Sequence, residues 1–381
     1  MSLVGVSRST SALASLKLQV KYNDGMATVW LPSSHPILKE KDFLQIEALI
    51  SHTHLYSVNI TSNPMILPLV NIRQPVIFKY FRRSGESPSS AVSRSSMSPL
   101  AVKVNAIMGT KTGNKIAASS FGYGRSNKAI TPPSPSDLVL ALSDPLYFNS
   151  QEPQQGHLTF TNVPGEMTIT WVSNATQNPE VQWGFAPLQS ALVHSAPAHG
   201  ITYSIKDMCA APANDPQNFL DPGMIYTALM SQLPTGRLLY YRYGSAIDGW
   251  SDIHSFHIVN GKQEASSRPA AGGVFNFTAF GDMGVDPDQP PAALSTAHIL
   301  EHINETDMVL HIGDISYARG HAYIWESFFH EIQPFATRVP YMTSIGNHEY
   351  DYHGQPFHPP WSTYGSDSGG EVIKWRAKLG K

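Results

Sequence analysis

Three short apolar runs in the last third of the chain constrain the fold more than anything else in it. They read FNFTAFGDMG from residue 275, VLHIGDISY from residue 309 and YMTSIGNHE from residue 341. Each is rich in β-branched and aromatic residues and ends in a glycine followed by polar side chains. That is the pattern of a buried parallel strand that presents ligands at its C-terminal end. The stretches between them, 291–304 and 322–335, read as helices. The alternation predicts a βαβαβ unit, and in such sheets ligands gather just beyond the carboxyl ends of the strands.

The three tips hold Asp282, then Asp314 with Tyr317, then Asn347 with His348 and Glu349. They recur at intervals of about thirty residues, the length of one βα unit. A lone aspartate after a strand glycine is commonly a turn or cap residue. Three such blocks in order, each after a predicted strand, are a far more specific signal. Carboxylate, phenolate and amide oxygens are hard donors. Two cations could share one carboxylate, and Asp314, in the middle of the set, is the natural bridge. Two metals about 3.5–4 Å apart can clamp both the attacking and the leaving oxygen of an in-line displacement.

The blocks Gly281-Asp282-Met283-Gly284, Gly313-Asp314-Ile315-Ser316-Tyr317 and Gly346-Asn347-His348-Glu349 resemble the first three signature blocks of the purple acid phosphatases, a branch of the calcineurin-like metallophosphoesterases. Most relatives in the superfamily carry Asp-x-His in the first block. Gly284 stands where that histidine would be, and Tyr317 supplies a ligand instead. The resemblance implies that Asp282 and Tyr317 bind Fe(III), that Asp314 bridges, and that Asn347 binds a divalent metal (Zn, Mn or Fe). His348 would contact the phosphate and help protonate the leaving group. The implied reaction is that of an acid phosphatase: hydrolysis of a phosphate monoester by metal-bound hydroxide at a dinuclear Fe(III)–M(II) site.

The family has two further blocks, V-x-x-H and G-H-x-H, that supply three histidine ligands. Neither follows in this sequence, although 365–371 (GSDSGGE) still resembles the family. His353 and His358 sit in a Pro-rich loop and match neither block. Four of seven expected metal ligands are present, so the expectation is a C-terminally truncated chain. The alternative to the enzyme is a catalytically inactive pseudo-enzyme or binding fragment. Asp314 and Asn347 alone are too few for tight binding of the divalent ion.

Ahead of these blocks the chain reads as β-structure. The expected fold class is β-rich α+β and multi-domain: an N-terminal β-sandwich over 1–81, a low-complexity linker or insertion over 82–144, a fibronectin-III-like sandwich over 145–262, and an incomplete α/β metallophosphoesterase domain over 273–381. Residues 16–81 alternate apolar and polar positions, as in LKLQVKY and FLQIEALI, which predicts half-buried antiparallel strands. The segment 65–83 resembles the extra N-terminal domain of the large plant-type members. Between Lys79 and Ser136 a single acidic residue, Glu86, faces nine basic ones amid Ser, Pro and Gly. Such a stretch buries too little apolar surface to offset its chain entropy; a short strand over 115–121 is expected to rejoin the first sandwich. Over 145–259 the alternation returns in the pattern of a seven-strand sandwich, with Trp171 as a core candidate and Tyr240, Tyr241 and Tyr243 on one strand. The resemblance agrees, since the family places a fibronectin-III-like domain, through which dimers form, before the catalytic one.

Composition narrows the remaining choices. A net charge of −3 gives no global signal for nucleic acid. No apolar run approaches about eighteen residues, so no transmembrane helix is expected. Cys209 is the one cysteine, which excludes an intrachain disulfide. His52 and His54 could meet on one strand face, but as a pair they read as structural. The N-terminus has no clear signal peptide. Family resemblance implies a secreted, extracellular or vacuolar glycoprotein, and sequons at Asn59, Asn174, Asn276 and Asn304 permit it. Asn276 is expected to be buried in its strand and unmodified.

Overall fold

A computed structural model describes residues 17–23, 26–31, 42–48, 54–59, 65–82, 138–146, 148–174, 176–208, 211–258, 275–285, 292–318 and 320–350. The chain divides into two compact units. The first takes in residues 1–103 and 124–148, the second 104–123 and 149–381.

In the first unit the strands are β1 (Lys17–Asn23), β2 (Met26–Trp30), β3 (Asp42–Ala48), β4 (His54–Asn59), β5 (Met65–Pro68), β6 (Val76–Arg82) and β7 (Leu138–Ser143). They follow the order β4-β3-β6-β7-β1-β2-β5. β1 pairs with β7 through Lys17 and Leu18 and with β2 from Gln19 onward, so one strand serves two sheets. Leu44, Ile46, Phe78 and Tyr80 are fully buried, and Phe43 stacks on Phe81. Tyr80 donates a hydrogen bond to buried Asp42 at 2.6 Å. β7 is a correction. It lies inside the stretch read as linker, yet pairs with β6 from Lys79 to Arg82. Its sequence, LVLALS, is too short to stand out beside a low-complexity neighbour. The strand expected over 115–121 lies outside the described residues, as do His52, Cys209, His353, His358 and 365–371.

In the second unit come β8 (Gln154–Phe160), β9 (Met167–Ser173), β10 (Glu180–Gly184), β11 (His194–Ile201), β12 (Met224–Met230), β13 (Leu238–Ser245), β14 (Gly249–Trp250) and β15 (His254–His257). These are eight strands where seven were expected; the extra one is the two-residue β14, folded back on β13. β11 pairs with β10 through His194–Pro197 and with β12 through Ala198–Ile201, and so passes from one layer of the sandwich to the other. Between the layers Trp171 is fully buried, with Tyr226 and Tyr243 tilted against it. Leu239, Tyr241 and Tyr243 point inward on β13, as period two requires.

The same unit continues with β16 (Phe277–Phe280), α1 (Ala292–Glu301), β17 (Met308–His311), α2 (Ala322–Ala336), β18 (Tyr341–Thr343) and the short α3 (Asn347–Tyr350). The three strands form a parallel sheet, β16-β17-β18. On one face Val309 and Tyr341 pack against Trp325, Phe328, Phe329 and Ile332 of α2 and Ile299 of α1. On the other face Phe277 of β16 is 55% exposed, whereas Met342 of β18 accepts from the Phe160 N–H of the sandwich through its sulfur. The expectation of buried strands therefore holds for one face and fails at the β16 edge of the other. Asn276 precedes the strand, is half-buried, and donates its backbone N–H to the Asp307 carboxylate at 2.9 Å; it does not sit in a strand interior as expected.

The sandwich and the sheet meet through α2. Gln155 of β8 donates to Glu326, Gln333 accepts from the Gly156 N–H, and Tyr241 donates to the Thr337 carbonyl at 2.7 Å. Among the described residues no helix is long and apolar enough to cross a membrane.

Candidate metal centre

Strand register brings the tips together. Phe280 pairs with His311 and His311 with Thr343, so the three strands end level. Asp282 follows its strand by two residues, Asp314 by three, and Asn347 by four. The tips then close on one another backbone to backbone. The Asp282 N–H donates to the Gly313 carbonyl at 3.2 Å, and the Gly284 N–H to the Ile315 carbonyl at 2.9 Å. A Cβ on Gly313 would meet the Gly346 backbone at 2.5–2.6 Å, and one on Gly346 would overlap the Asp314 carboxylate. Two of the glycines that precede ligands are thus required by close approach.

Three of the predicted ligands converge. The Tyr317 hydroxyl donates to Asp282 Oδ1 at 2.5 Å and reaches Asp314 Oδ2 at 3.3 Å. The other Asp314 oxygen accepts from the His348 backbone N–H at 3.1 Å. Tyr317 therefore ties the second tip to the first, and Asp314 ties it to the third. Burial, then the hydrogen bond to Asp282 and the charges of Asp314 and Asp282, holds the phenol well above its ordinary pKa. It is a proton donor to two carboxylates. Asp282, Asp314 and Tyr317 all have positive φ, at 56°, 51° and 52°. Aspartate tolerates that region; a bulky aromatic rarely enters it, at a cost of about 1–3 kcal/mol. The surrounding backbone bonds hold it there.

The fourth ligand, Asn347, opens α3; its side chain lies outside the described residues. His348 is 8% exposed, and its ring centroid is 4.5 Å from that of Tyr317. The imidazole thus packs against the Tyr317 ring.

Two supporting residues carry no role in the sequence reading. Glu349 is fully buried, and its carboxylate accepts from the backbone N–H groups of Asp314 and Gly346 through Oε2 and of Ile315 through Oε1, at 2.9, 3.0 and 2.9 Å. It ties the second tip to the third. Burial raises its pKa against the pull of the Ile315 and Gly346 N–H groups. Its place after Asn347-His348 was the only signal. His311, fully buried under the site, shares a 2.5 Å hydrogen bond with the Tyr341 hydroxyl through Nδ1. Burial lowers its pKa to about 4.

Two carboxylates and a phenol within hydrogen-bond reach, at the exposed rim of a parallel sheet, fit a hard, highly charged cation, which would take the place of the phenolic proton. A tyrosine in this position, with Gly284 where a histidine would otherwise stand, separates one branch of the metallophosphoesterases from the rest. The profile of the purple acid phosphatase N-terminal domain matches residues 153–258, and that of the calcineurin-like phosphoesterases matches 251–378.

The chain belongs to the purple acid phosphatase family.

Among similar proteins, "Probable inactive purple acid phosphatase 9" of Arabidopsis thaliana is 40% identical over 238 residues, which are 59% of this chain and 35% of that one. "Acid phosphatase type 7" of Mus musculus is 31% identical over 225 residues, 57% of this chain and 45% of that one. The solved purple acid phosphatase PPD1 of yellow lupin (Lupinus luteus) shares the fold, with a TM-score of 0.64 at 22% identity, over 92% of this chain and 58% of the lupin chain. The chain therefore spans less than half the length of both of these relatives, and the purple acid phosphatase fold runs through it from sandwich to sheet.

Proposed function

We propose that the protein hydrolyses phosphate monoesters as an acid phosphatase, at a centre built on Fe(III) and a divalent metal (Zn, Mn or Fe). The observation that carries this reading is the Tyr317 hydroxyl shared between Asp282 and Asp314. Asp282 and Tyr317 would hold the ferric ion, Asp314 would bridge, and Asn347 would hold the divalent ion. When bound, the metal pair neutralises charge on the phosphoryl group and lowers the pKa of water at the site. The chain's own contribution is position. Glu349 fixes the bridging loop relative to the third tip, and α3 carries His348 to the edge of the oxygen cluster. From there the imidazole would contact the phosphate and pass a proton to the departing alcohol oxygen. The test is turnover of 4-nitrophenyl phosphate at acidic pH by wild type and Asp314→Ala; equal rates would overturn the proposal.

A second reading is a chain without catalysis, which binds metal weakly or not at all. The name of the Arabidopsis relative favours it, as does the donor set, which consists of oxygens among the described residues. Two tightly held metals per chain, both lost in Asp314→Ala, would exclude it. We propose further, on family resemblance, a secreted or vacuolar compartment. Asn304, in an exposed turn, is the sequon best placed for a glycan among those whose burial is described. A mass shift on glycosidase treatment of protein from its native source, lost in Asn304→Gln, checks this.

A further inference from the structure

A second group of metal-ligating side chains lies on α1, away from the strand tips. His298, Glu301 and His302 are exposed, and their donor atoms all lie within 4.8 Å of one another. Among the described residues this is the one convergent group of three His, Cys, Asp or Glu. Its spacing explains the convergence, because residues three and four apart share a helix face. The helical path continues beyond Glu301: the His302 N–H donates to the His298 carbonyl at 3.3 Å. The two imidazole centroids are 4.9 Å apart. Ile299 and Ile303, buried at 2% and 4%, lock the opposite side of this turn into the core. The two histidines therefore face solvent in a fixed register.

We infer that this turn binds a borderline divalent cation (zinc, nickel or copper) through the two imidazoles and the Glu301 carboxylate. Zinc–nitrogen bonds of about 2.0–2.1 Å put donors on one tetrahedral ion about 3.4 Å apart. Exposed side chains close the remaining gap by a change of rotamer. Imidazole with carboxylate suits zinc, nickel and copper over magnesium or calcium. Glu305 lies nearby, its carboxylate 3.7 Å from His302 Nδ1, and adds negative charge beside the turn. The turn leads into the start of β17, whereas the phosphatase ligands follow the strand ends. About four residues of strand, roughly 13 Å, separate the two levels, so the sites are independent.

The experiment is a zinc titration of the full, tag-free chain by calorimetry, in an Asp314→Ala background that silences the strand-tip centre. One zinc per chain is expected. Since loss of an outer partner alone weakens metal sites by about 10–100-fold, His298→Ala/His302→Ala should weaken binding by at least about 100-fold, with an unchanged circular dichroism spectrum. Glu301→Gln should weaken it by about tenfold or more, and magnesium should not compete. No zinc equivalent in the parent, or an unchanged isotherm in the double variant, would overturn the inference. Either result leaves the phosphatase reading untouched, because that reading is scored by turnover.

Discussion

Glu349 should matter more than its lack of contact with substrate suggests. Replacing it by alanine removes the acceptor for three backbone N–H groups at once. The Ile315 bond is buried, so its orphaned donor should cost about 1–3 kcal/mol. The Asp314 and Gly346 bonds are partly buried, where water replaces some of what is lost; about 1 kcal/mol each is reasonable. The total is about 3–5 kcal/mol. For a unit of this size that lowers the melting temperature by about 10 °C. Glu349→Gln should do less. Its amide oxygen can keep the Asp314 and Gly346 bonds, but its NH2 then faces the Ile315 N–H, a donor against a donor, for about 2 kcal/mol. The assay is thermal and urea unfolding of wild type, Glu349→Gln and Glu349→Ala, with iron retention measured beside it. The order wild type, Gln, Ala should appear in both. A Glu349→Ala protein that melts within about 1 °C of wild type and retains the same iron would refute the idea that this carboxylate holds the loops.

Other consequences follow from single contacts. Gly346→Ala puts a methyl group onto the Asp314 carboxylate, so metal retention should fall with little loss of secondary structure; equal retention by dialysis would count against the close approach. His311, with its pKa lowered to about 4 by burial, stays neutral in the folded chain while the unfolded chain takes up a proton below pH about 6.5. Its contribution is complete above that pH and is lost as pH falls toward 4, by about 2 kcal/mol at pH 5. His311→Asn, which keeps an acceptor for Tyr341, should show a correspondingly shallower pH dependence in urea titrations; an identical slope would argue against it. Tyr241→Phe removes the buried bond to the Thr337 carbonyl and should destabilise the second unit by about 1–3 kcal/mol, read from urea midpoints; an unchanged midpoint would show that bond to be idle.

Much of the site was legible because its signals are local. A glycine after an apolar run, with aspartate or asparagine next, marks each tip, and Tyr317 lies three residues beyond Asp314. Both helices were legible in the sequence, and Ile299, Ile303, Trp325, Phe328 and Phe329 all turn inward from them. What escaped depends on distant partners. β7 joins the first unit by pairing with β6, which precedes it by more than fifty residues. β11 changes layers through pairings that no single strand encodes. The role of Glu349 needs two loops to meet around it. The positive φ of Asp282, Asp314 and Tyr317 has no composition signal, since none is glycine. The exposed edge strand, with Phe277 half exposed, is invisible to a pattern that reads only apolar content.

The convergence of Asp282, Asp314 and Tyr317 on one cation is best tested by adding ferric ion, as a soluble chelate, to the purified full chain and recording its visible spectrum. The expected result is a tyrosinate charge-transfer band that saturates with iron, vanishes in Tyr317→Phe and weakens in Asp282→Ala. A chain that takes up no iron, or a band that survives Tyr317→Phe, would contradict it.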